Sequence, residues 1–379
     1  MTFNSTPADY SSVNDNLVWV VYDAHSTDPV TYPNYKYVAE CWINGTNIAT
    51  SRRFQDPTNN RGTFNFSTII REYITATLPT LNSGVLAKQM AQGEFVIDVV
   101  IKIREEYNGT IGAVVLTDST RTFFNHYNGR TSEFTILASL GAKPLSTRQV
   151  NIEMFYENDN FFLPYFAPSS ASFDVVVTGA STHTKSIVPT ALNTIQLLNI
   201  SPTAINTEWA STINSSLQSY TVAVGGTTYI CNLVCEPIST NYPIHFLNKF
   251  GGFETFNFYK TSKQNFSIER KSWKQLPYKV DSSGVLSIKT GNIMNEQQSN
   301  FGVKFTEKLK VSTNLLNDAD WQFLQQLVCS PLIYLQDGAT LYPVTIEQSN
   351  YEVKKIQVDQ WENLELEVSF GTSYKTQFR

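Results

Sequence analysis

Glu105 and Glu106 are adjacent carboxylates whose chemistry is easy to name. Two acidic side chains that flank one glycosidic bond can serve as the general acid and the nucleophile of a glycoside hydrolase. The sequence around this pair predicts a β-strand, and adjacent side chains on a strand point to opposite faces of the sheet. The two carboxylates therefore cannot flank one bond, and we interpret the pair as the polar end of a hairpin.

Cys231 and Cys235 have a spacing that could hold a metal ion. A zinc site of this kind needs a second pair of ligands at close spacing, and only His245 is near. We therefore interpret the cysteines as small buried hydrophobic residues, and we expect no metal site. The absence of a secretory signal at the N-terminus indicates synthesis in a cytoplasm, where thiols stay reduced. The chain has four cysteines: Cys41, Cys231, Cys235 and Cys329.

Catalytic motifs are absent from the sequence. The Gly-Gly pairs at 225–226 and 251–252 are not followed by the Lys-Ser/Thr of a phosphate-binding loop. Neither H-E-x-x-H nor G-x-S-x-G occurs. The histidines are far apart in sequence and read as polar strand or loop residues: His25, His126, His183 and His245. The sequence predicts no enzyme and no cofactor, although it leaves open a site assembled from distant loops.

Composition favours a large β protein with extensive polar and aromatic surfaces. The chain has 379 residues, of which 16% are charged, and it contains 24 Phe, 19 Tyr and 6 Trp. This length suggests two or three domains, and the aromatic content is typical of β-sandwiches and assembly surfaces. The net charge of −5 argues against sequence-specific binding of nucleic acid. No apolar stretch approaches the length needed to span a membrane.

One basic cluster is denser than the rest of the chain. We interpret it as a solvated face, with a nucleic-acid contact as the alternative. It comprises Lys260, Lys263, Arg270, Lys271, Lys274 and Lys279.

The elements that would position these residues are mainly short strands. Asn44-Gly45, Asn108-Gly109 and Gly225-Gly226 predict hairpin turns. Ser67 is expected to cap a short helix over 68–74. Leu364 to Phe370 alternates strictly and predicts a half-buried strand.

A second helix is the clearest in the chain. It is predicted to be capped by Asn317 or Asp318 and to stop at Ser330-Pro331, with Trp321, Leu324, Leu327 and Val328 at helical spacing.

We therefore predict a mainly β chain made of several β-sandwich domains. Residues 1–16 form an N-terminal arm, and residues 17–145 form a β-sandwich with the short helix. Residues 146–260 form a sandwich of the immunoglobulin or fibronectin kind. Residues 261–379 form a β-sandwich with one packed helix.

Residues 247–258 form the segment around which we interpret the rest of the chain. Aromatic residues alternate on both sides of Gly251-Gly252, which predicts two strands meeting at a glycine corner. The glycines would supply a positive φ or a close approach of the backbone.

Three phrases resemble virion proteins of tailed phages that infect Bacteroidetes, crAss-like or related. The first is Leu247-Asn248-Lys249-Phe250-Gly251-Gly252 with its aromatic flanks. The second runs from Pro33-Asn34-Tyr35-Lys36-Tyr37 through Phe64-Asn65-Phe66 to Glu105-Glu106-Tyr107. The third runs from Trp321 through Ser330-Pro331 to Tyr342-Pro343-Val344. The third phrase is similar to tail-associated proteins, which implies a tail-tube-like fold for the C-terminal region.

The resemblance implies a structural protein of the tail or head-tail connector, made in the host bacterial cytoplasm and located in the virion. The expected partners are other copies of the chain, in a closed ring of six or twelve, and neighbouring virion proteins, with no membrane and no sequence-specific nucleic acid. Residues of the corner and of the second helix are expected to support the interface, with the internal core as the alternative role. They are Lys249, Phe250, Gly251, Gly252, Phe253, Trp321 and Leu324.

A different hypothesis is a carbohydrate-binding adhesin or fibre-like module. Exposed aromatic rings on a sandwich can stack on sugar rings. The candidates are Trp209, Trp273 and Trp361.

Overall fold

The computed structural model describes residues 1–81, 84–127, 141–234, 241–260, 262–280, 282–290, 292–316, 318–347 and 362–375. Strands account for 53% of the chain and helices for 9%. The strands form several sheets, which confirms the prediction of a mainly β chain.

The chain divides into two compact units. Unit 1 contains Met1–Glu236, His245–Phe256 and Cys329–Pro331, and unit 2 contains Pro237–Ile244, Asn257–Val328 and Leu332–Arg379.

The N-terminal part of unit 1 has two sheets. The first has the order β1-β2-β5, and the second has the order β4-β3-β7-β8 with β9 paired to β7. The strands are β1 Thr2–Ser5, β2 Val18–Tyr22, β3 Lys36–Ile43, β4 Thr46–Phe54, β5 Arg61–Asn65, β7 Val96–Tyr107, β8 Thr110–Thr117 and β9 Arg121–Phe124. One hydrophobic cluster joins these sheets, and Trp19, Phe64, Tyr37 and Ile101 are among its members.

Two further sheets belong to unit 1, with the orders β10-β12-β15-β6 and β11-β17-β16-β13-β14. Their strands are β6 Leu86–Met90, β10 Lys143–Pro144, β11 Asn151–Met154, β12 Phe162–Ala167, β13 Phe173–Thr178, β14 Thr182–Ile187, β15 Thr194–Asn199, β16 Ser219–Val224 and β17 Thr227–Leu233. A second hydrophobic cluster lies between them and includes Leu163, Leu198, Val222 and Cys231.

The predicted hairpin turns are confirmed. Asn44 and Gly45 have φ of 49° and 76°, and Asn108 and Gly109 have φ of 48° and 75°. Two consecutive positive φ values are the signature of the type I′ turn, whose twist matches that of the flanking strands. Gly225-Gly226 makes the same turn between β16 and β17.

Two arrangements differ from the sequence-based division. The segment predicted as an arm is tied to the fold, because Thr2 and Phe3 pair with Tyr22 and Val21. In addition β6, from the predicted 17–145 domain, pairs with β15, from the predicted 146–260 domain. Pairing between distant strands leaves no local signal, so neither arrangement was predicted.

Unit 2 contains five consecutive strands of one sheet, in the order β26-β27-β28-β25-β20. The strands assigned wholly to this unit are β20 Lys263–Lys274, β21 Lys279–Val280, β22 Leu286–Ser287, β23 Lys289–Thr290, β24 Ile293–Met294, β25 Gln298–Leu316, β26 Ile333–Asp337, β27 Thr340–Ile346 and β28 Glu362–Lys375. In β28, Leu364, Leu366 and Val368 are buried while Glu365 is exposed, which confirms the predicted half-buried strand.

Two strands flank the glycine corner, as predicted: β18 Tyr242–Leu247 and β19 Phe253–Phe258. Both are buried along most of their length.

The described helices are α1 Ser67–Glu72, α2 Pro202–Glu208, α3 Asp318–Val328 and a 3₁₀ turn at Ala24–Thr27. α3 confirms the predicted helix; Trp321, Leu324 and Leu327 are buried on it, while Asn317 lies outside the described residues. Ser67 is the first helical residue of α1 and not its cap. None of the described helices is long and apolar enough to cross a membrane.

Candidate functional site

Asn248 organises the corner between β18 and β19. Its side-chain oxygen accepts hydrogen bonds from the backbone N–H groups of Phe250 (3.0 Å) and Gly252 (3.1 Å). Its side-chain nitrogen donates to the carbonyl of Leu145 (2.7 Å) and to Glu254 Oε2 (3.0 Å). One buried amide therefore fixes the turn and ties it to the residues around 145.

Gly251 has φ of +87° and touches the rest of unit 1 closely. A Cβ at Gly251 would lie 2.0 Å from the carbonyl oxygen of Asn125, and a Cβ at Gly252 would lie 2.4 Å from Pro164 Cβ. The predicted roles of positive φ and close approach are both observed at Gly251.

The residues predicted to form an interface have unequal access to solvent. Phe253 and Leu324 are fully buried, Trp321 is nearly so, and Gly251 and Gly252 are buried. Lys249 and Phe250 are half-buried. Lys249 and Phe250 are therefore the members of this set that keep surface accessible to another molecule.

A buried polar network lies beside the corner. Glu254 is fully buried, with the Arg148 Nε 3.9 Å from its Oε1, and the guanidinium of Arg148 also donates to the carbonyl of Thr255. Burial raises the pKa of the Glu254 carboxyl, although Arg148, Ser146 and Asn248 act in the opposite direction. The Thr255 hydroxyl accepts from the N–H of Phe162 (2.8 Å).

Asp23, His25 and Glu105 meet at a second place in unit 1. His25 Nδ1 lies 3.2 Å from Glu105 Oε1 and 3.5 Å from Asp23 Oδ1. The α-amino group of Met1 lies 3.0 Å from the other oxygen of Asp23. The three side chains offer one nitrogen and two carboxylate oxygens that all lie within 4.8 Å of one another. We call this group the Asp-His-Glu cluster.

Backbone register explains why Glu105 takes part and Glu106 does not. Tyr37 pairs with Glu105, and Lys36 pairs with Glu106, across β3 and β7. Glu106 accordingly meets Lys36 Nζ (3.2 Å) and Arg52 Nε (3.5 Å) on the other face. The prediction that the two carboxylates face opposite ways is confirmed, whereas the reading of His25 as an isolated loop residue missed the cluster.

Two tyrosines lie beside the Asp-His-Glu cluster. The Tyr37 hydroxyl accepts from the backbone N–H of Asp23 (3.0 Å) and donates to the carbonyl of Asn60 (2.9 Å). The Tyr35 ring packs edge-on against Tyr37, with centroids 5.1 Å apart.

The cysteines contribute no cluster of donors in the described part of the chain. Cys41 and Cys231 are free and buried, and burial raises the pKa of each thiol to about 12. The burial of Cys231 agrees with the interpretation made for it, Cys235 lies outside the described residues, and Cys329 is exposed.

The residues predicted to stack on carbohydrate differ in their surroundings. Trp209 packs against the core of unit 1 and stacks on His183, with centroids 5.2 Å apart. Trp273 belongs to unit 2 and is 54% exposed. Trp361 lies outside the described residues.

The most exposed region of unit 2 is residues 263–304, which we call the ribbon. Every residue of β20 is exposed, and β20 is the last strand in its sheet order. From Gln298 to Val303, β25 pairs with β20 alone among the described strands. Large apolar side chains on the ribbon are between 42% and 75% exposed: Phe266, Ile268, Trp273, Leu276, Tyr278, Val280, Val285, Leu286, Ile288, Ile293 and Met294.

The ribbon is basic and the remaining chain is acidic. It carries seven lysines and arginines against three acidic residues, a net charge of +4. Because the whole chain carries −5, the remaining residues carry −9. The basic cluster noted in the sequence is largely the basic part of this ribbon.

Comparison of the sequence with protein-family models finds no family that matches it, and comparison with curated proteins finds no relative.

Proposed function

We propose that the chain is a structural subunit that assembles with copies of itself into a ring, in the tail or connector region of a phage virion. The exposed ribbon carries this proposal. The resemblance of the corner to virion proteins of tailed phages, and of the C-terminal phrase to tail-associated proteins of that group, supplies the biological setting.

The ribbon has the properties of a protein-interaction surface. A two-stranded antiparallel ribbon is marginally stable in water by itself. Contiguous apolar surface rimmed by polar residues marks a site of protein interaction, and in the ribbon Phe266 and Trp273 are each more than half exposed. β20 is the outermost of the described strands of its sheet, and the backbone groups on its outer side can pair with another chain.

Charge favours a second copy as that partner. The ribbon carries +4 and the rest of each chain carries −9, so the ribbon of one copy is attracted to the body of the next. A contact between two different surfaces of identical chains is heterologous, and it closes into a ring when the rotation between copies permits. The proposed ring has six or twelve copies.

The fold proposed for the chain follows from the same setting. The paired sheets of unit 1 would be β-sandwiches, and unit 2, with its long strands and the single helix α3, would be tail-tube-like. This role requires no catalytic step.

The test is the mass in solution, measured by light scattering across a range of protein and salt concentrations. The wild type is expected to form a defined oligomer that dissociates as salt rises, because salt screens exposed charges. Ile268→Ser combined with Trp273→Ser should give a folded monomer. Tyr73→Ser combined with Leu192→Ser, also at exposed apolar sites, should leave the oligomer intact.

A wild type that stays monomeric at every concentration would overturn self-assembly. An oligomer that survives the ribbon substitutions would show that another surface carries the contact. Negative-stain images of the wild type would separate closed rings from open filaments.

A further inference from the structure

The Asp-His-Glu cluster is built by elements that are far apart in sequence. Asp23 follows β2 and precedes the 3₁₀ turn that carries His25, while Glu105 lies on β7. The Asp23 side chain caps the turn by accepting from the N–H of His25 (2.8 Å). The ring of His25 stacks on Tyr32, with centroids 4.1 Å apart. The three donors are thus held by backbone and ring contacts as well as by one another.

Two of the three donor pairs are spaced as zinc ligands are, and the third pair, the Asp23 and Glu105 oxygens, lies within 4.8 Å. Nitrogen and oxygen donors at 2.0–2.2 Å from a tetrahedral ion lie roughly 3.3–3.6 Å apart. In the cluster, His25 Nδ1 is 3.2 Å from the Glu105 oxygen and 3.5 Å from the Asp23 oxygen. Closing such a site around an ion would require only small movements of side chains.

Burial and access differ within the cluster in a way that suits an ion. Asp23 and Glu105 are 4% and 9% exposed, so their negative charges are removed from most of the water. The His25 side chain is 43% exposed, which leaves a path for an ion. The α-amino group of Met1 offsets part of the charge on Asp23, whereas His25 is the ion-pairing partner that the described residues give Glu105. Burying the Glu105 carboxylate costs free energy, and a cation offsets that cost.

The Tyr35 hydroxyl is an independent sign of a missing ligand. Tyr35 is 3% exposed, and its hydroxyl has no hydrogen-bond partner among the described residues. Burial, together with the negative charges of Asp23 and Glu105, raises its pKa, so the hydroxyl stays protonated beside the two carboxylates. Buried hydroxyls are normally satisfied, and a water bound to an ion in the cluster would accept this proton.

We propose that Asp23, His25 and Glu105 bind one divalent transition-metal ion, with Zn²⁺ the best match, and that Tyr35 donates a hydrogen bond to a water on that ion. A mixed nitrogen and oxygen donor set suits Zn²⁺. Calcium and magnesium are disfavoured because they require six or more oxygen ligands. The site does not depend on ring assembly and would stabilise the junction between the 3₁₀ turn and β7.

The test is Zn²⁺ binding by calorimetry, with Co²⁺ absorption to report the coordination geometry. The wild type is expected to bind one ion per chain at this site with a tetrahedral Co²⁺ spectrum. His25→Ala should weaken binding by more than about 100-fold, because losing a ligand costs more than losing one of its hydrogen-bonding partners. Tyr35→Phe should weaken it by about tenfold, as removal of such a partner does.

Two controls separate ligation from damage to the fold. Glu106→Gln alters the adjacent carboxyl on the opposite face, and His183→Ala removes a histidine elsewhere in unit 1; both should keep wild-type affinity. Circular dichroism of each variant checks folding. Absence of Zn²⁺ binding in the wild type, or equal affinity in folded His25→Ala, would overturn the proposal.

Discussion

The corner and the ribbon are both rich in aromatic residues, and the fold uses them in opposite ways. At the corner, Phe253 is fully buried and Asn248 satisfies the backbone around the glycines. On the ribbon, Phe266 and Trp273 lie more than half exposed on β20, the last described strand of its sheet. The apolar side chains of the corner are buried within the chain, whereas those of the ribbon are exposed to solvent.

The difference shows that aromatic alternation predicts a strand but not what covers it. Sequence reasoning placed the interface at the corner and the second helix, with the internal core as the alternative role. Exposure favours the ribbon as the proposed contact surface, and Lys249 and Phe250 are the half-buried part of the corner. Matched substitutions in the two regions can test this assignment.

Replacing phenylalanine by alanine should give the largest difference in unfolding free energy between the corner and the ribbon. Phe253→Ala should lower the free energy of unfolding by about 3–5 kcal/mol, since it leaves a cavity in a packed core. Phe266→Ala removes the same atoms from an exposed site and should change it by about 0.5 kcal/mol or less. Denaturant titration at a protein concentration that keeps the chain monomeric measures both. Equal losses would mean that the ribbon is already covered in the monomer.

Gly251→Ala should have the next largest effect on the free energy of unfolding. The new Cβ would clash with the carbonyl oxygen of Asn125 at a φ of +87°, and we expect a loss of about 2–4 kcal/mol. Gly226→Ala is the matched control, because its φ is +78° but nothing lies within 4 Å of the added Cβ. It should lose only about 1–2 kcal/mol. Similar losses at both positions would show that the corner is not closely packed.

Thr255→Val tests the polar network with almost no change of shape. It leaves the buried N–H of Phe162 without its acceptor, which should cost about 1–3 kcal/mol. Thr228→Val, at an exposed position in β17, should cost about 0.5 kcal/mol or less. Thermal or chemical unfolding of the two variants measures these losses of stability. A Thr255→Val variant as stable as the wild type would mean that water reaches this site.

Local turn and cap chemistry explains what the sequence could predict of the fold. Asn44-Gly45 and Asn108-Gly109 specify their hairpins by themselves, and the capped, amphipathic pattern specified α3. Helix α2 was missed although Ser201 caps it and Pro202 opens it, so a usable signal was present. The pairing of β6 with β15 had none, because strand partners across a hundred residues are chosen by the packed core.

The Asp-His-Glu cluster shows the same limit for a site. The period of a strand was enough to predict that Glu105 and Glu106 point apart. Finding His25 beside Glu105 needed the register in which Tyr37 pairs with Glu105, together with the Asp23 turn that follows β2. Those contacts join residues 80 positions apart, so the donors could be recognised only after folding brought them together.

The smallest effect we predict is a pH dependence at Glu254. Burial raises the pKa of this carboxyl above its ordinary value of 4.5, so the folded state binds its proton more tightly than the unfolded state does. Its contribution to stability is therefore fully present below pH 4.5 and declines as the pH rises through the folded-state pKa. The side chain of Glu254→Gln cannot ionise, so this contribution does not change with pH in the variant. The unfolding free energy of the variant should therefore rise relative to that of the wild type as the pH increases from about pH 4 to pH 7. Unfolding titrations across this range give the difference, and the opposite slope would show that Arg148 holds the carboxylate ionised in the core.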